Sequence, residues 1–245
     1  MDSRDRFSEA SGRYAAHRPG FPGELIDWIV AEGALAPGAR IADIGCGTGI
    51  ATRLWAARGF DVIGVEPNQA MLAQARSAGD ETYQEGEAAD TGLPGGAFAL
   101  VSAAQAFHYF ELGPTLAEWR RLLAAGGSCA TFWYRIAPSP IKSGFKDLRR
   151  RFGSQSGHYR TPKNAIVETL RARPEVSGLR SATFPYAQLL DRAGWHGRIF
   201  ASSRMRHAGG EARLEAEIDS LFDRYSDGNR LRIPLEATAM VWGIV

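Results

Sequence analysis

The sequence predicts an α/β protein built on a doubly wound sheet. Three stretches carry that prediction. Residues 40–50, RIADIGCGTGI, run from a short apolar segment (Ile41, Ala42, Ile44) into Gly45-Cys46-Gly47-Thr48-Gly49. Three glycines at alternate positions do not suit a packed strand. They suit a tight turn where the backbone comes close to a ligand. Residues 50–58 then read as a helix stopped by Gly59. Strand, glycine turn and helix form the nucleotide-binding half of a doubly wound fold. The second stretch, residues 61–72, has a buried strand in Val62, Ile63 and Val65 that ends in Glu66 and stops at Pro67. An acid there can accept hydrogen bonds from both ribose hydroxyls. The third, residues 98–105, is an apolar strand followed by AFHYF. Ligands of such sheets bind outside the carboxyl ends of the strands, which brings Gln105, Phe107, His108, Tyr109 and Phe110 to the expected site.

The glycine turn departs from the dinucleotide fingerprint in two places. That fingerprint needs a small residue three positions after its second glycine, and Ile50 stands there. Asp43, two residues before the first glycine, can hold an ammonium group but would repel a pyrophosphate. D-I-G-C-G-T-G followed by V-E-P instead resembles the class I S-adenosylmethionine (SAM)-dependent methyltransferases, and within them the methyltransferase type 11 family. The resemblance covers most of the chain.

It implies a Rossmann-like, doubly wound sheet of seven strands, mostly parallel, with an antiparallel hairpin at the edge and a helical cap. It also implies SAM as cofactor and S-adenosylhomocysteine (SAH) as product. Gly45, Cys46, Gly47 and Gly49 would line the cofactor, Asp43 would face its ammonium, and Glu66 with Pro67 would meet its ribose. Residues 6–22 resemble the family's N-terminal stretch, so Tyr14, His17 and Arg18 would approach the amino-acid end, with Arg18 on the carboxylate. Met71 either lies on the adenine face or packs in the core. In EGEAADTGLP, residues 85–94, Gly86-Glu87-Ala88 fits the family pattern. Either Glu87 or Asp90 would then read the adenine amino group, with the backbone of Ala88 or Ala89 on the ring.

The remaining elements follow in order. Pro22 opens an amphipathic helix with Leu25, Ile26, Trp28 and Ile29, ended by Gly33. Asn68 caps the helix after the second strand. A third strand lies around residues 82–84. Pro114 opens a helix through Leu116, Trp119, Leu122 and Leu123, stopped by Gly126-Gly127, and residues 128–135 form the fifth strand. Residues 136–190 are the expected helical cap within a single domain of residues 1–245, with helices at 141–152 and 162–173. Residues 184–193 read as a helix, 198–206 as a sixth strand, 211–225 as an amphipathic helix and 231–245 as a final strand or strand pair. Pro234 marks an edge or bulge there.

Composition agrees with a soluble enzyme. The chain has 245 residues, 44% apolar and 23% charged, and a formal net charge of +2. No run of eighteen apolar residues suggests a membrane span, and the charged N-terminus has no signal-like apolar region, so the cytoplasm is expected. Cys46 and Cys129 are spaced as small buried residues, and the histidines show no metal spacing. No G-x-S-x-G or Walker motif supports a hydrolase or NTPase.

Methyl transfer from a sulfonium needs alignment and, for some nucleophiles, a base. His108 is the best placed histidine, either as that base or as a pocket wall that orients the acceptor. Ring faces of Phe107, Tyr109 and Phe110 can meet the sulfonium. A dinucleotide-binding oxidoreductase and a SAM-binding regulatory protein without turnover are the alternatives. Charge bears on the acceptor. Residues 137–207 hold 14 Lys and Arg against 4 Asp and Glu. Such an excess is either a solvated basic face or a field that draws an anionic small molecule, one with a carboxylate or phosphate, toward the site. RNA finds little support, for no RNA-binding module is present and few aromatics lie among these arginines. The acceptor, the atom methylated and the oligomeric state are not legible.

Overall fold

The elements form where local sequence and burial agree. The computed structural model describes residues 18–153, 161–200, 205 and 211–245. Helix α1 (Gly23–Glu32) follows Pro22 and buries Leu25, Ile26 and Ile29. Strand β1 (Arg40–Ile44) is buried beyond its first residue. Helix α2 (Ile50–Ala56) starts from Gly49 and buries Ala51, Thr52 and Trp55. Strand β2 (Asp61–Glu66) leads to α3 (Gln69–Ser77), whose cap, Asn68, accepts from the Met71 amide at 3.0 Å. Then come β3 (Thr82–Glu85), β4 (Phe98–Ala104), a short 3₁₀ turn (Phe107–Tyr109) and α4 (Leu112–Leu122). Strand β5 (Leu123–Ile136) begins where α4 ends. The rest of the chain is α5 (Pro140–Phe152), α6 (Ile166–Arg171), β6 (Val176–Leu190), α7 (Arg192–Phe200), α8 (Glu211–Tyr225) and β7 (Leu231–Ile244).

The seven strands lie in the order β3-β2-β1-β4-β5-β7-β6. The first five run parallel, and β7 runs antiparallel to both β5 and β6. The order therefore reverses between β1 and β4, and that crevice is where doubly wound sheets bind ligands. One face of the sheet carries α1 and α2 through Leu25, Ile26, Ile29 and Trp55. The other carries α4 and α6 through Leu116, Trp119, Ile166 and Leu170. A third apolar cluster joins α5, α7 and α8 to the start of β7, with Ile141, Trp195, Ile218 and Ile233 at its centre. Among the described residues no helix is long and apolar enough to cross a membrane.

The structure corrects the sequence reading in the last third of the chain. Residues 184–193 were expected to be helical and 198–206 a strand. Instead β6 extends to Leu190, and the helix occupies Arg192–Phe200. The cap helices are thus confined to the first part of 136–190, since 176–190 is sheet. β6 pairs with β7 along nearly its whole length, with a register shift between Ser177 and Arg180 that breaks the alternation a reader would look for. It is an edge strand, which accommodates Pro185. No bulge occurs at Pro234. The β5 ladder ends at Ile136–Leu235, so no strand residue on that side needs the missing proline N–H. The expected helix through Leu123 stops one residue sooner, and its two glycines lie in β5.

Packing is tight beneath the glycine turn. A methyl group on Gly64, in β2, would lie 2.7 Å from the Tyr83 ring, 2.9 Å from Cys46 Sγ and 3.0 Å from Thr52 Oγ1. Gly64→Ala is therefore expected to destabilise the fold by about 1–3 kcal/mol. A urea titration checks it: the midpoint should fall with the slope unchanged.

Candidate functional site

The glycine turn is tied to β2 through the backbone. The Gly45 and Cys46 amides both donate to the Val65 carbonyl, at 2.8 and 3.1 Å. A side chain on Gly45 would run into Ala106 Cβ at 2.7 Å, so this glycine lets the turn pack on the exit of β4. Gly47 is different. Its φ is +58°, and a Cβ there would meet nothing within 4 Å. The middle glycine faces open space, as a backbone that a ligand approaches should.

Glu66, at the end of β2, borders the same space. One carboxylate oxygen accepts from the Gly47 amide at 3.0 Å and the other from the Asn68 amide at 3.1 Å. Burial pushes its pKa up, and the two backbone amides pull it down. A carboxylate has about four acceptor sites, so two remain for ligand hydroxyls. Pro67 follows it and is half-buried. Cys46 Sγ lies behind the turn, and burial with the Asp43 and Glu66 charges holds its thiol protonated. Met71 is buried on α3.

Asp43, expected at a ligand ammonium, is enclosed by protein. It is fully buried, accepting from Thr52 Oγ1 at 2.7 Å and from Ser102 Oγ at 3.5 Å. Burial raises its pKa to about 7, against the two hydroxyl bonds. It braces β1, α2 and β4 through these two bonds.

The segment after β3 closes into a tight turn, with Glu87 N donating to Asp90 O at 2.9 Å and Asp90 N to Glu87 O at 3.1 Å. Glu87 and Asp90 are exposed and Ala88 is half-buried. A buried acid on α4 anchors this segment. Glu118 accepts from the Thr91 amide at 3.0 Å and from Arg121 Nε at 2.7 Å, while Arg121 also donates to the Leu93 carbonyl at 2.8 Å. Arg121 first, then Thr91, hold the Glu118 pKa down at about 2.

Beyond β4 the expected residues separate. Gln105 has a φ of +58°, uncommon for a residue with a side chain and a mark of local constraint at such sites. Its amide donates to the Tyr134 carbonyl at 3.4 Å, and its carbonyl accepts from Lys163 Nζ at 2.5 Å. Phe107 points inward. It is 1% exposed and packs on Phe110, Trp119 and Trp242, so its ring has no face for a ligand. His108 is 3% exposed. Burial first, then the charges of Lys163 and Arg18, lower its pKa to about 2. Burial thus favours the neutral imidazole. Its carbonyl accepts from the Thr161 amide at 3.2 Å. Tyr14 and His17 lie outside the described residues. Arg18 lies within them, close enough for its charge to act on His108, Lys163 and Arg198.

This arrangement has relatives. The family model described as a methyltransferase domain, type 11, matches residues 42–131. Those residues span the glycine turn, Glu66, the Glu87 segment and His108. Residues 42–131 thus resemble a class I SAM-dependent methyltransferase domain. An uncharacterized methyltransferase of Mycobacterium tuberculosis is 34% identical over 128 residues, 52% of this chain and 51% of that protein. The malonyl-[acyl-carrier protein] O-methyltransferase of Serratia marcescens is 29% identical over 124 residues, 49% of this chain and 48% of that one. The chain spans about half the length of the curated relatives it matches. A structure from Anaeromyxobacter dehalogenans, assigned as a type II methyltransferase, superposes with a TM-score of 0.67 at 26% identity, covering 94% of this chain and 98% of its own.

Several residues of the candidate site were missed in sequence. Thr52, Ser102, Glu118 and Lys163 act on groups 9, 59, 27 and 58 positions away, and no local spacing announces such pairs. Asp43 also yields a stability test. Its folded pKa lies above the ordinary 3.8, so its stabilising contribution is full below that value and is lost as pH rises to about 7. Across that window wild type should lose about 4 kcal/mol relative to Asp43→Asn, as an order of magnitude. Urea midpoints of both proteins from acid to neutral pH measure the difference.

Proposed function

We propose that the chain is a methyltransferase that binds SAM across the β1–β2 turns and moves its methyl group to a small-molecule acceptor held between β4, β5 and the cap. The observation that carries this reading is the pairing of Glu66 with Gly47. An acid anchored by two backbone amides stands beside a turn whose middle glycine faces open space. Such an edge suits a ribose with two hydroxyls and a backbone-hugging chain. When bound, SAM supplies an activated methyl on a good leaving group. The protein then needs to align and to exclude water; alignment can contribute about 7–11 kcal/mol.

In this reading Glu66 orients the ribose, the 87–91 turn borders the adenine, and Arg18 with Tyr14 closes the amino-acid end. His108 is neutral through the working pH range and holds the acceptor by hydrogen bond. The acceptor therefore brings its own nucleophile or loses its proton to water. A malonyl thioester, the acceptor of the Serratia marcescens relative, carries a carboxylate that needs no base, and an anionic acceptor would suit this chain in the same way. We read the whole chain as one domain, with α5 and α6 as its cap.

Calorimetry with SAM and with NADH tests the cofactor. SAM is expected to bind and NADH is not. Glu66→Ala should weaken SAM binding by about a hundredfold, since each bond to a charged acceptor contributes about 1.5–3 kcal/mol. Unchanged affinity would remove the ribose assignment. Turnover, followed as SAH release with a panel of carboxylate and phosphate acceptors, tests His108. The rate should show no inflection assignable to His108 between about pH 5 and 8, and His108→Asn should keep the pH profile while raising KM.

A further inference from the structure

The basic excess of residues 137–207 is largely neutralised on the outside of the protein. Arg151 pairs with Glu217, and Arg192 with Asp219 and Asp223, all three acids coming from α8. Arg150, Arg171, Arg173 and Arg180 pair with Asp147, Glu168, Glu175 and Glu32. Two cations that turn inward are not matched in this way. Lys163 reaches Gln105 Oε1 at 2.5 Å, and the Arg198 guanidinium lies 5.8 Å from the centre of the Tyr134 ring. Gln105 bonds the Tyr134 carbonyl, so the two cations flank one short stretch at the ends of β4 and β5. Among the described residues neither has an acidic partner. Both are half-buried, and each feels the positive charge of Arg18; cations gathered in this way without a counter-charge are unfavourable unless an anion joins them. A guanidinium and an ammonium are also the donors that recognise oxyanions best.

We propose that Lys163 and Arg198, over Gln105 and Tyr134, form the subsite that holds a carboxylate or phosphate of the methyl acceptor, and so select an anionic acceptor. The proposal rests on the methyltransferase reading. The other source of a carboxylate is the methionine end of SAM. Titration of the SAH-saturated protein separates the two, because SAH then fills its own carboxylate site. Gln105 follows β4, two strands from Glu66, and Tyr134 lies on β5, three strands away, about 10 and 14 Å along the sheet. Arg18 lies nearer the amino-acid end of the cofactor in the same reading, and Lys163 and Arg198 lie beyond it.

The charges around the subsite set its pH behaviour. Lys163 faces Arg18 and the neutral His108; Arg198 faces Arg18, Tyr134 and Tyr186. Burial, aided by Arg18, lowers the Lys163 pKa to about 7, so the ammonium is present below that pH and lost above it. Anion affinity should therefore fall as pH rises through neutrality.

The test uses the full chain saturated with SAH, titrated by calorimetry with citrate and, separately, with inorganic phosphate. Titrations run at about pH 6 and about pH 8.5, on either side of the Lys163 transition. One of the two anions is expected to bind, more weakly at the higher pH, and to lose about tenfold or more in affinity in both K163M and R198M. SAH affinity should stay within about twofold. Melting curves check folding, and K163M without anion should melt no lower than wild type. Should R198M fail to fold, R198K replaces it, with a smaller loss of the same sign. The proposal is overturned if neither anion binds the wild-type complex, or if the variants bind both anions as wild type does. A parallel loss of SAH affinity also overturns it, by assigning the two cations to the SAM carboxylate. Wild type that binds no SAH would defeat the methyltransferase reading itself, and the proposal with it.

Discussion

The ends of β1 and β2 are held together by four hydrogen bonds, and the candidate site depends on them. The Val65 carbonyl takes the amides of Gly45 and Cys46, and the Glu66 carboxylate takes those of Gly47 and Asn68. Each amide would otherwise face a ligand or lie unpaired near the core, which is costly. The result is a turn kept open on one side by Gly47 and closed on the other by Gly45 against Ala106. Asp43 supports the turn from beneath through Thr52 and Ser102, joining β1, α2 and β4 in one polar contact inside an apolar layer. These ties place a carboxylate beside the open side of the turn without any residue of the cap.

Across the crevice the site is assembled differently. Gln105, in its left-handed backbone conformation, joins the β5 backbone to Lys163 on the segment before α6. His108 is fastened to that segment through Thr161. This side is thus built from the exit of β4 together with chain that follows β5, while the Glu66 side comes from chain before β4. Charge follows the same division, with outward arginines of the cap paired to the acidic α8 and two cations left facing in.

Legibility differed between these halves for a physical reason. The β1–β4 region could be read because its signals are local: an apolar run, a glycine turn and an acid at a strand end lie within a few residues of one another. Asn68 as a helix cap is of the same kind. Met71 could be placed early in its helix, but whether it meets a ligand is not a local matter. β6 could not be read. Its residues 184–190, FPYAQLL, contain no strong strand signal, and only the long ladder to β7, with Phe184 and Tyr186 packed on the inner side, makes them sheet. Here the tertiary partner outweighed local propensity.

The sequence by itself determined the fold class, the glycine turn after β1 and the acid Glu66 at the end of β2. Those follow from backbone geometry that few residue types permit. Only the tertiary structure decided what the other groups do. Phe107 packs among aromatic rings of the core, while its neighbour His108 is tied by its carbonyl to Thr161. Asp43, expected at a ligand, is enclosed between Thr52 and Ser102. Lys163 and Arg198 were two among fourteen basic residues of one span until folding separated them from the rest. Burial, and which neighbours share it, sets the protonation and reach of a side chain, and burial is a property of the assembled chain.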